Sequence, residues 1–524
     1  MLETRTEFPT DVESLLAIIA AKDTELEQLR NEYERKVESL IEIIRDLRRK
    51  RFGKSSEKAS PHQLGLFNEA EEAAAVSEDP SDETETEAIT YVRKKPKRKP
   101  LPADLPREER VIEIPESERL CPNGCGSVMN EIGEEVSEKL DIVPMQIKVI
   151  RTVRKKYACT HKDCGLGGVK TAPNPPALIP KSNASEGLLA AICTMKYVDH
   201  LPLYRLEAIF KRHDIDLTRG TMGSWMVRCG QAVQPLINLL HEELVSSDYI
   251  QMDETRTQVL NEEGKRAESK SYMWVRYRPG RYPIVLFTYD PSRSGEVPVR
   301  LLDGFEGHLQ VDGYDGYSQV IRKSGGKITR GGCMAHARRK LKSASDSSKK
   351  AGIANKGLKF IQKLYKFEEQ ARYRSPEERY RIRQLKAKPV IEEMRKWLDQ
   401  VLNSVPPESL VGQALRYLHN EWEHLMKYLE DGRYEIDNND VENVIRPFAL
   451  GRKNWLFSST VEGAEASANI YSLIETAKAN YLDPYDYLKY VFEKLPLAQT
   501  LEDFEALLPT SVKAVFAAQD IADK

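Results

Sequence analysis

The chain has 524 residues, of which 40% are hydrophobic and 31% are charged, and its formal net charge is −2. This length allows three or more domains, and the near-neutral charge excludes a protein that binds polyanions over its whole surface. No apolar run approaches the roughly 20 residues of a membrane span, and no signal-peptide pattern opens the sequence. We therefore expect a cytoplasmic protein. Four of the seven cysteines form short-spaced pairs, which indicates metal binding or free thiols rather than disulfides.

Residues 1–52 carry the pattern of a coiled coil. Apolar residues recur at alternating steps of four and three from Leu15 to Leu47, with lysine at two positions, and this spacing forms the seam between paired helices. We expect a dimerising coiled coil; the alternative is a single amphipathic helix lying on the body of the protein.

Residues 53–100 are predicted to be a linker. Its acidic part, EAEEAAAVSEDPSDETETEA, has the composition of disordered segments, and RKKPKRK at residues 93–99 is almost entirely basic. The basic run fits DNA phosphates or a solvated linker equally well.

Residues 101–180 contain two cysteine pairs separated by strand-like sequence. The paired cysteines are Cys121, Cys125, Cys159 and Cys164. Two such turns present four thiolates to one tetrahedral ion, so we expect one structural Zn²⁺ in a small β module. His161 is an alternative ligand to Cys164, and a hairpin domain with reduced cysteines is the alternative structure.

Residues 181–245 are predicted to form a helix-turn-helix domain. Three helices at residues 185–197, 202–212 and 219–231 are joined by short turns, an arrangement that places one helix in the major groove of DNA. The candidate groove contacts are Thr218, Arg219, Thr221, Ser224 and Trp225. The alternative is a structural collar of helices packed on the next domain.

Residues 246–342 alternate between strands and short helices. Three aromatic and β-branched strands come first, followed by a helix, a fourth strand, a helix and a fifth strand. Asp253 lies on the first strand with Glu254 facing the other way, and Asp312 ends the fourth strand. Together with an acid on a late helix, this order resembles the ribonuclease H-like fold.

Glu442 supplies that late acid, in the first turn of a helix that Asn438 is suited to cap. The helix dipole favours any acid at this position, so the position alone is weak evidence. Because the interval from Asp312 is very long, we expect residues 343–430 to be an all-helical insertion that contacts DNA or a partner subunit, or only packs. Residues 431–464 then complete the core.

Motifs along nearly the whole chain carry a family resemblance. They are RFGKSSEK (51–58), LPADLPRE (101–108), the cysteine pairs, DET (253–255), VDGYDGY (311–317), CMAHARRK (333–340), DNNDVEN (437–443), GRKNWLF (451–457) and SLIETAKANYLDPYDYL (472–488). In this order they resemble the IS66 family of transposases, and residues 465–524 form a C-terminal helical element. The resemblance implies transposon-end DNA as substrate, divalent metal, accessory proteins of the same element and a nucleoid-associated bacterial protein.

The resemblance assigns the catalytic acids to Asp253, Asp312 and Glu442, with Glu475 as a rival third acid. Further acids nearby are Glu254, Asp315, Asp437 and Asp440. Carboxylates suit Mg²⁺ or Mn²⁺, and two such ions activate the attacking oxygen and stabilise the leaving oxygen of a phosphodiester. Two Mg²⁺ or Mn²⁺ ions per active site are therefore expected.

Basic and aromatic residues near the acids are candidate DNA contacts. They are Arg338, Arg339, Arg446, Arg452, Lys453 and Trp455. His336 either supports the DNA or ligates metal, and Trp455 either stacks on an unpaired base or packs in the core. The residue seven positions after Glu442, often basic in such enzymes, is Ala449.

The predicted function is a DNA transposase that binds double-stranded transposon ends as a homo-oligomer and catalyses metal-dependent strand cleavage and strand transfer. Two alternatives stay open: a sequence-specific DNA-binding regulator with an inactive core, and a nuclease of the same fold without strand transfer. The presence of all three acids favours an enzyme, because an inert core has no need of them.

Overall fold

The computed structural model describes residues 19–30, 33, 146–158, 169–346 and 352–513. The chain divides into two compact units, Pro80–Pro173 and the remainder, Met1–Asp79 with Asn174–Lys524. The predicted zinc cysteines, the basic run and most of the predicted coiled coil lie outside the described residues. Within the described ranges, none of the helices combines the length and hydrophobicity that crossing a bilayer requires.

The described part of the smaller unit contains an antiparallel hairpin, in which β1 (Lys156–Ala158) pairs with β2 (Val169–Thr171). In the larger unit, residues 19–30 are helical. Apolar residues of the predicted seam, such as Leu26 and Leu29, are exposed there. An exposed apolar seam is compatible with pairing to a second helix, and dimerisation stays a prediction.

Between residue 169 and the main sheet, the structure describes four helices. They are α1 (Glu186–Tyr197), α2 (Leu203–Lys211), α3 (Arg219–Ala232) and α4 (Gln234–Val245). The first three occupy the predicted spans, and the side chains of Ser185 and Thr218 cap α1 and α3. The buried residues of all four helices join the hydrophobic cluster of the sheet, so the helices pack against the core, and the choice between a helix-turn-helix domain and a structural collar stays open.

A mixed five-stranded path forms the centre of the larger unit. Its strands are β3 (Tyr249–Asn261), β4 (Lys270–Arg278), β5 (Ile284–Asp290), β6 (Gly307–Gln310) and β7 (Ile328–Gly331). Their spatial order is β5-β4-β3-β6-β7, with β3 antiparallel to β4 and parallel to β6. With α5 (Glu296–Leu301) before β6 and α6 (Gly316–Lys323) before β7, the predicted order of strands and helices is confirmed.

A second helical body lies between β7 and the late acid. Its helices are α7 (Met334–Asp346), α8 (Ile353–Ala371), α9 (Pro376–Ile382), α10 (Lys388–Val401), α11 (Leu410–Asn420) and α12 (Trp422–Met426). They enclose a hydrophobic cluster of their own. It starts before the boundary expected at residue 343, because Met334, Ala337 and Leu341 of α7 pack into it.

The end of the chain returns to the sheet. The returning elements are α13 (Asn439–Trp455), β8 (Ser458–Thr460), α14 (Val461–Ala479), α15 (Pro484–Lys494) and α16 (Leu501–Glu505). On α14, Ser472 accepts the Phe287 N–H at 2.8 Å and Thr476 accepts the Val285 N–H at 3.0 Å. These hydroxyls cover the edge of β5, which would otherwise be open to another strand. The boundary expected between residues 464 and 465 falls inside α14, so this helix belongs to the core.

Candidate active site

The three carboxylates predicted to be catalytic come from separate elements. Asp253 lies on β3, Asp312 follows β6, and Glu442 lies in the first turn of α13. The pKa of Asp253 is raised well above its ordinary value, first by loss of hydration and then by the charges of Glu254, Asp312 and Glu442. Because carboxylates shift one another's pKa mainly at close range, Asp312 and Glu442 both lie near enough to Asp253 for their charges to act on it.

Two hydrogen bonds tie the start of α13 to β3. The Gln251 side chain accepts the Val441 N–H at 3.2 Å, and the Asn438 side-chain amide donates to the Met252 carbonyl oxygen at 3.0 Å. The expected capping bond from the Asn438 side chain is not formed, because this side chain anchors the helix to the central strand instead. The carboxylate one turn into α13 is thereby held beside β3.

Glu442 is held by residues of α7. Arg339 Nη2 donates to Glu442 Oε1 at 2.8 Å, and His336 Nδ1 lies 3.9 Å from the same oxygen. The donor atoms of Cys333, His336 and Glu442 all lie within 4.8 Å of one another. The sequence predicts Arg339 as a DNA contact, whereas the structure places its guanidinium on the third acid.

Asp253 and Asp312 have a different environment. Asp253 Oδ1 accepts the Glu254 N–H at 2.8 Å, and Asp312 Oδ1 accepts the Tyr314 N–H at 2.9 Å. Among the residues that the structure describes, no basic side chain forms an ion pair with either carboxylate. Carboxylates that lose hydration are normally paired or bound to metal. This all-oxygen pair, with Glu442 beside it, fits the donor preference of Mg²⁺ or Mn²⁺.

Glu254 leaves β3 on the side opposite Asp253, as the alternation of a strand predicts. It forms an ion pair with Arg293 at 2.6 Å and accepts the Tyr317 hydroxyl at 2.6 Å. Its pKa is raised to about 7 by burial and the charge of Asp312, against the lowering effect of Arg293. Glu254 therefore forms a supporting layer behind the acids.

Two other rival acids also have partners of their own. Glu475 on α14 forms an ion pair with Lys478 at 2.8 Å. Asp437 accepts the Tyr365 hydroxyl at 2.7 Å, and burial raises its pKa to about 7. These contacts leave Glu442 as the acid of the chain's last third whose charge acts on Asp253.

The helical insertion contributes residues that the sequence did not reveal. Arg330, 5% exposed, donates to the Asp312 carbonyl oxygen at 2.7 Å and pairs with Glu421 of the insertion at 2.7 Å. Tyr417 of α11 lies against Gly313, where an added Cβ would be 2.7 Å from its ring. In the sequence, only the glycine after Asp312 indicates a close contact at this point, because Tyr417 and Glu421 are distant from it along the chain.

The predicted groove contacts on α3 border an open cavity of about 530 Å³. Its lining consists of Lys181, Ser182, Asn183, Gly220, Thr221, Ser224, Trp225 and Arg228. Thr221 and Ser224 are exposed, as is Arg219 nearby. Trp225 lines this cavity as well, but it is only 6% exposed and belongs to the hydrophobic core, so little of its ring is open to a ligand and its role as a DNA contact stays a prediction.

The candidate DNA contacts that follow Glu442 differ in their exposure. Trp455 packs against the core, with Lys196 Nζ 4.2 Å from its ring centroid and Tyr197 edge-on at 6.3 Å. This packing favours the alternative of a core tryptophan over a base-stacking one. Arg452 donates to the Arg256 carbonyl oxygen.

Arg446, one turn after Glu442, is partly buried, and its pKa is lowered by burial against the raising effect of Glu442. Lys453 and Arg338 are exposed.

Four protein-family models match the chain. Their descriptions are transposase IS66 family at residues 181–466, transposase C of IS166 homeodomain at residues 39–110, zinc-finger binding domain of transposase IS66 at residues 118–161, and IS66 C-terminal element at residues 472–510. The first model covers more than half of the chain. Cys121, Cys125 and Cys159 fall within the zinc-finger match, and Cys164 lies beyond its end.

Relatives from Sinorhizobium fredii (strain NBRC 101917 / NGR234) are similar over most of their length. The uncharacterized protein y4qI is 32% identical over 522 residues, covering 96% of this chain and 94% of the relative. The uncharacterized protein y4jD is 36% identical over 427 residues, covering 79% and 82%. The uncharacterized protein y4hP is 32% identical over 498 residues, covering 91% and 89%.

Proposed function

Because the chain belongs to the IS66 family of transposases, we propose that it cleaves and joins transposon-end DNA with a ribonuclease H-like core. The observation that carries this proposal is that the charges of Asp312 and Glu442 both act on the buried Asp253, while hydrogen bonds hold the helix that carries Glu442 against the strand that carries Asp253. The strand order β5-β4-β3-β6-β7 with parallel β3, β6 and β7 supports the assignment of the fold.

Asp253, Asp312 and Glu442 are the proposed ligands of two Mg²⁺ or Mn²⁺ ions. When bound, such ions activate the attacking oxygen and stabilise the leaving oxygen of a phosphodiester. The chain's own residues fix the geometry: Gln251 and Asn438 hold α13 against β3, and Arg330 holds the backbone at Asp312. These contacts fix the backbone positions of the acid-bearing segments before the substrate arrives.

The proposed DNA surface includes the α3 cavity, whose lining has two basic residues, Lys181 and Arg228, and no acid among the described residues. Backbone and hydroxyl donors beside arginine are typical contacts to DNA phosphates. Arg338 and Lys453 are exposed and are further proposed contacts to DNA. One structural Zn²⁺, held by the cysteine pairs, and self-association through residues 1–52 complete the proposal.

The test is cleavage of end DNA by the purified protein with Mg²⁺. Asp253→Asn, Asp312→Asn and Glu442→Gln each remove one anionic ligand at nearly constant size. We expect each to lower the cleavage rate by about a hundredfold or more, the scale of losing one electrostatic contribution at an active site, while end binding persists.

Glu475→Gln is the matched control, because Glu475 is a buried acid that pairs with Lys478 away from the cluster. It should cleave at the wild-type rate. Normal cleavage by Glu442→Gln would contradict the proposal. End binding without cleavage by the wild-type protein would favour a regulator, and cleavage without joining would favour a nuclease.

A further inference from the structure

Arg339 already occupies the carboxylate that the proposed function assigns to metal. Its Nη2 donates to Glu442 Oε1 at 2.8 Å and lies 3.4 Å from His336 Nδ1. The Glu442 side chain is 4% exposed, so water screens this contact poorly. A divalent cation must compete with the guanidinium for the charge of Glu442.

The three acids therefore differ in their ion pairing in the DNA-free chain. Among the described residues, Asp253 and Asp312 form no ion pair, whereas the third acid has a cationic partner. A site that only binds metal would not need this ion pair, because a guanidinium beside a ligand repels the metal ion and lowers its affinity.

Arg339 also has an alternative binding partner within reach. It lies on α7 between Arg338 and Lys340, both exposed, and its own side chain is 19% exposed. A polyanion that binds these neighbours brings phosphate oxygens to the same helix. Arginine binds phosphate and carboxylate with the same planar set of donors, so the guanidinium can exchange one for the other.

We propose that Arg339 is a positioning residue that couples metal binding to DNA binding. In the DNA-free protein it holds Glu442 and weakens the metal site; when a DNA phosphate takes the guanidinium, Glu442 is released to complete that site. This inference rests on the proposed function. By thermodynamic reciprocity, metal must then strengthen DNA binding by the same factor.

The experiment measures Mn²⁺ affinity by electron paramagnetic resonance, with and without a pre-cleaved end duplex. Arg339→Gln removes the positive charge beside Glu442. Arg338→Gln removes a positive charge from the adjacent position, where the guanidinium lies 5.9 Å from the Tyr365 ring centroid. Without DNA, Arg339→Gln should bind Mn²⁺ roughly five- to a hundredfold more tightly than wild type, the usual range of coupling between two ligands.

The duplex should then raise Mn²⁺ affinity less in Arg339→Gln than in wild type, and Arg338→Gln serves as the charge control only for the measurement without DNA. Arg339→Lys keeps the positive charge beside Glu442, so its Mn²⁺ affinity without DNA should stay close to that of wild type. Unchanged or weaker Mn²⁺ binding by Arg339→Gln would overturn the inference, because Arg339 would then only support Glu442. Asp253→Asn tests the proposed function separately: if it binds Mn²⁺ as wild type does, the metal site itself is misassigned.

Discussion

At the scale of single residues, Asp253 links the acidic cluster to the stability of the fold. Its raised pKa means that the folded chain keeps a proton that the unfolded chain releases above about pH 4. Folding therefore becomes less favourable as the pH rises from there toward the folded-state pKa. A bound divalent cation would offset this loss by mass action.

Asp253→Asn should accordingly raise the melting temperature of the metal-free protein, with a gain over wild type that grows as the pH rises above about 4. Mg²⁺ should stabilise the wild-type protein and leave the variant nearly unchanged. Thermal denaturation across pH, with Mg²⁺ and with a chelator, measures both effects. A variant less stable than wild type at every pH would show that Asp253 is not under electrostatic repulsion.

The sequence predicts Asp253, Asp312 and Glu442 as the catalytic acids, which stays a prediction, and it does not show which nearby acids have partners of their own. Glu254 is paired through Arg293 and Asp437 through Tyr365, and each partner comes from a different part of the chain. The burial of Trp225 and the partial burial of Trp455 were likewise not visible in the sequence. Spacing placed both on helices, and only tertiary packing showed that they face the core.

At the scale of elements, the insertion supports the second acid through Arg330 and Glu421. Breaking a buried ion pair leaves an unpaired charge, which costs roughly 3–5 kcal/mol. Glu421→Ala should destabilise the protein by about this amount and slow cleavage, because Arg330 also holds the Asp312 carbonyl. Glu423→Ala is the control two residues along the chain, in α12, since Glu423 is exposed. Equal unfolding curves in denaturant for the two variants would contradict this role.

Helix and strand spans were predictable because caps, periodicity and turn residues act locally. The domain boundaries were less so. The helices of residues 186–245 share one hydrophobic cluster with the sheet and α14, and α7 packs with the insertion. These groupings depend on contacts between distant segments, which local patterns do not encode.

At the scale of the whole molecule, the unit Pro80–Pro173 is compact by itself, and the zinc-finger match falls within it. Metal analysis should find about one Zn²⁺ per chain, as a four-ligand site requires. Cys121→Ser should lose zinc and unfold this unit, while the melting transition of the larger unit persists. Comparing Cys164→Ser with His161→Ala identifies the fourth ligand, and carefully purified protein without zinc would rule the site out.

The contact between α3 and α14 has a consequence for where a strand is cut. A Cβ at Gly230 would lie 2.4 Å from the Ala466 Cα, so these helices touch backbone to backbone, and α14 follows the acid-bearing helix after one short strand. The helix proposed to read DNA is thus packed rigidly on a helix that closely follows the one carrying Glu442. The distance between the proposed DNA-reading surface and the proposed cleavage site would then be fixed. Extra base pairs between the bound sequence and the scissile phosphate should therefore abolish cleavage instead of moving the cleavage position.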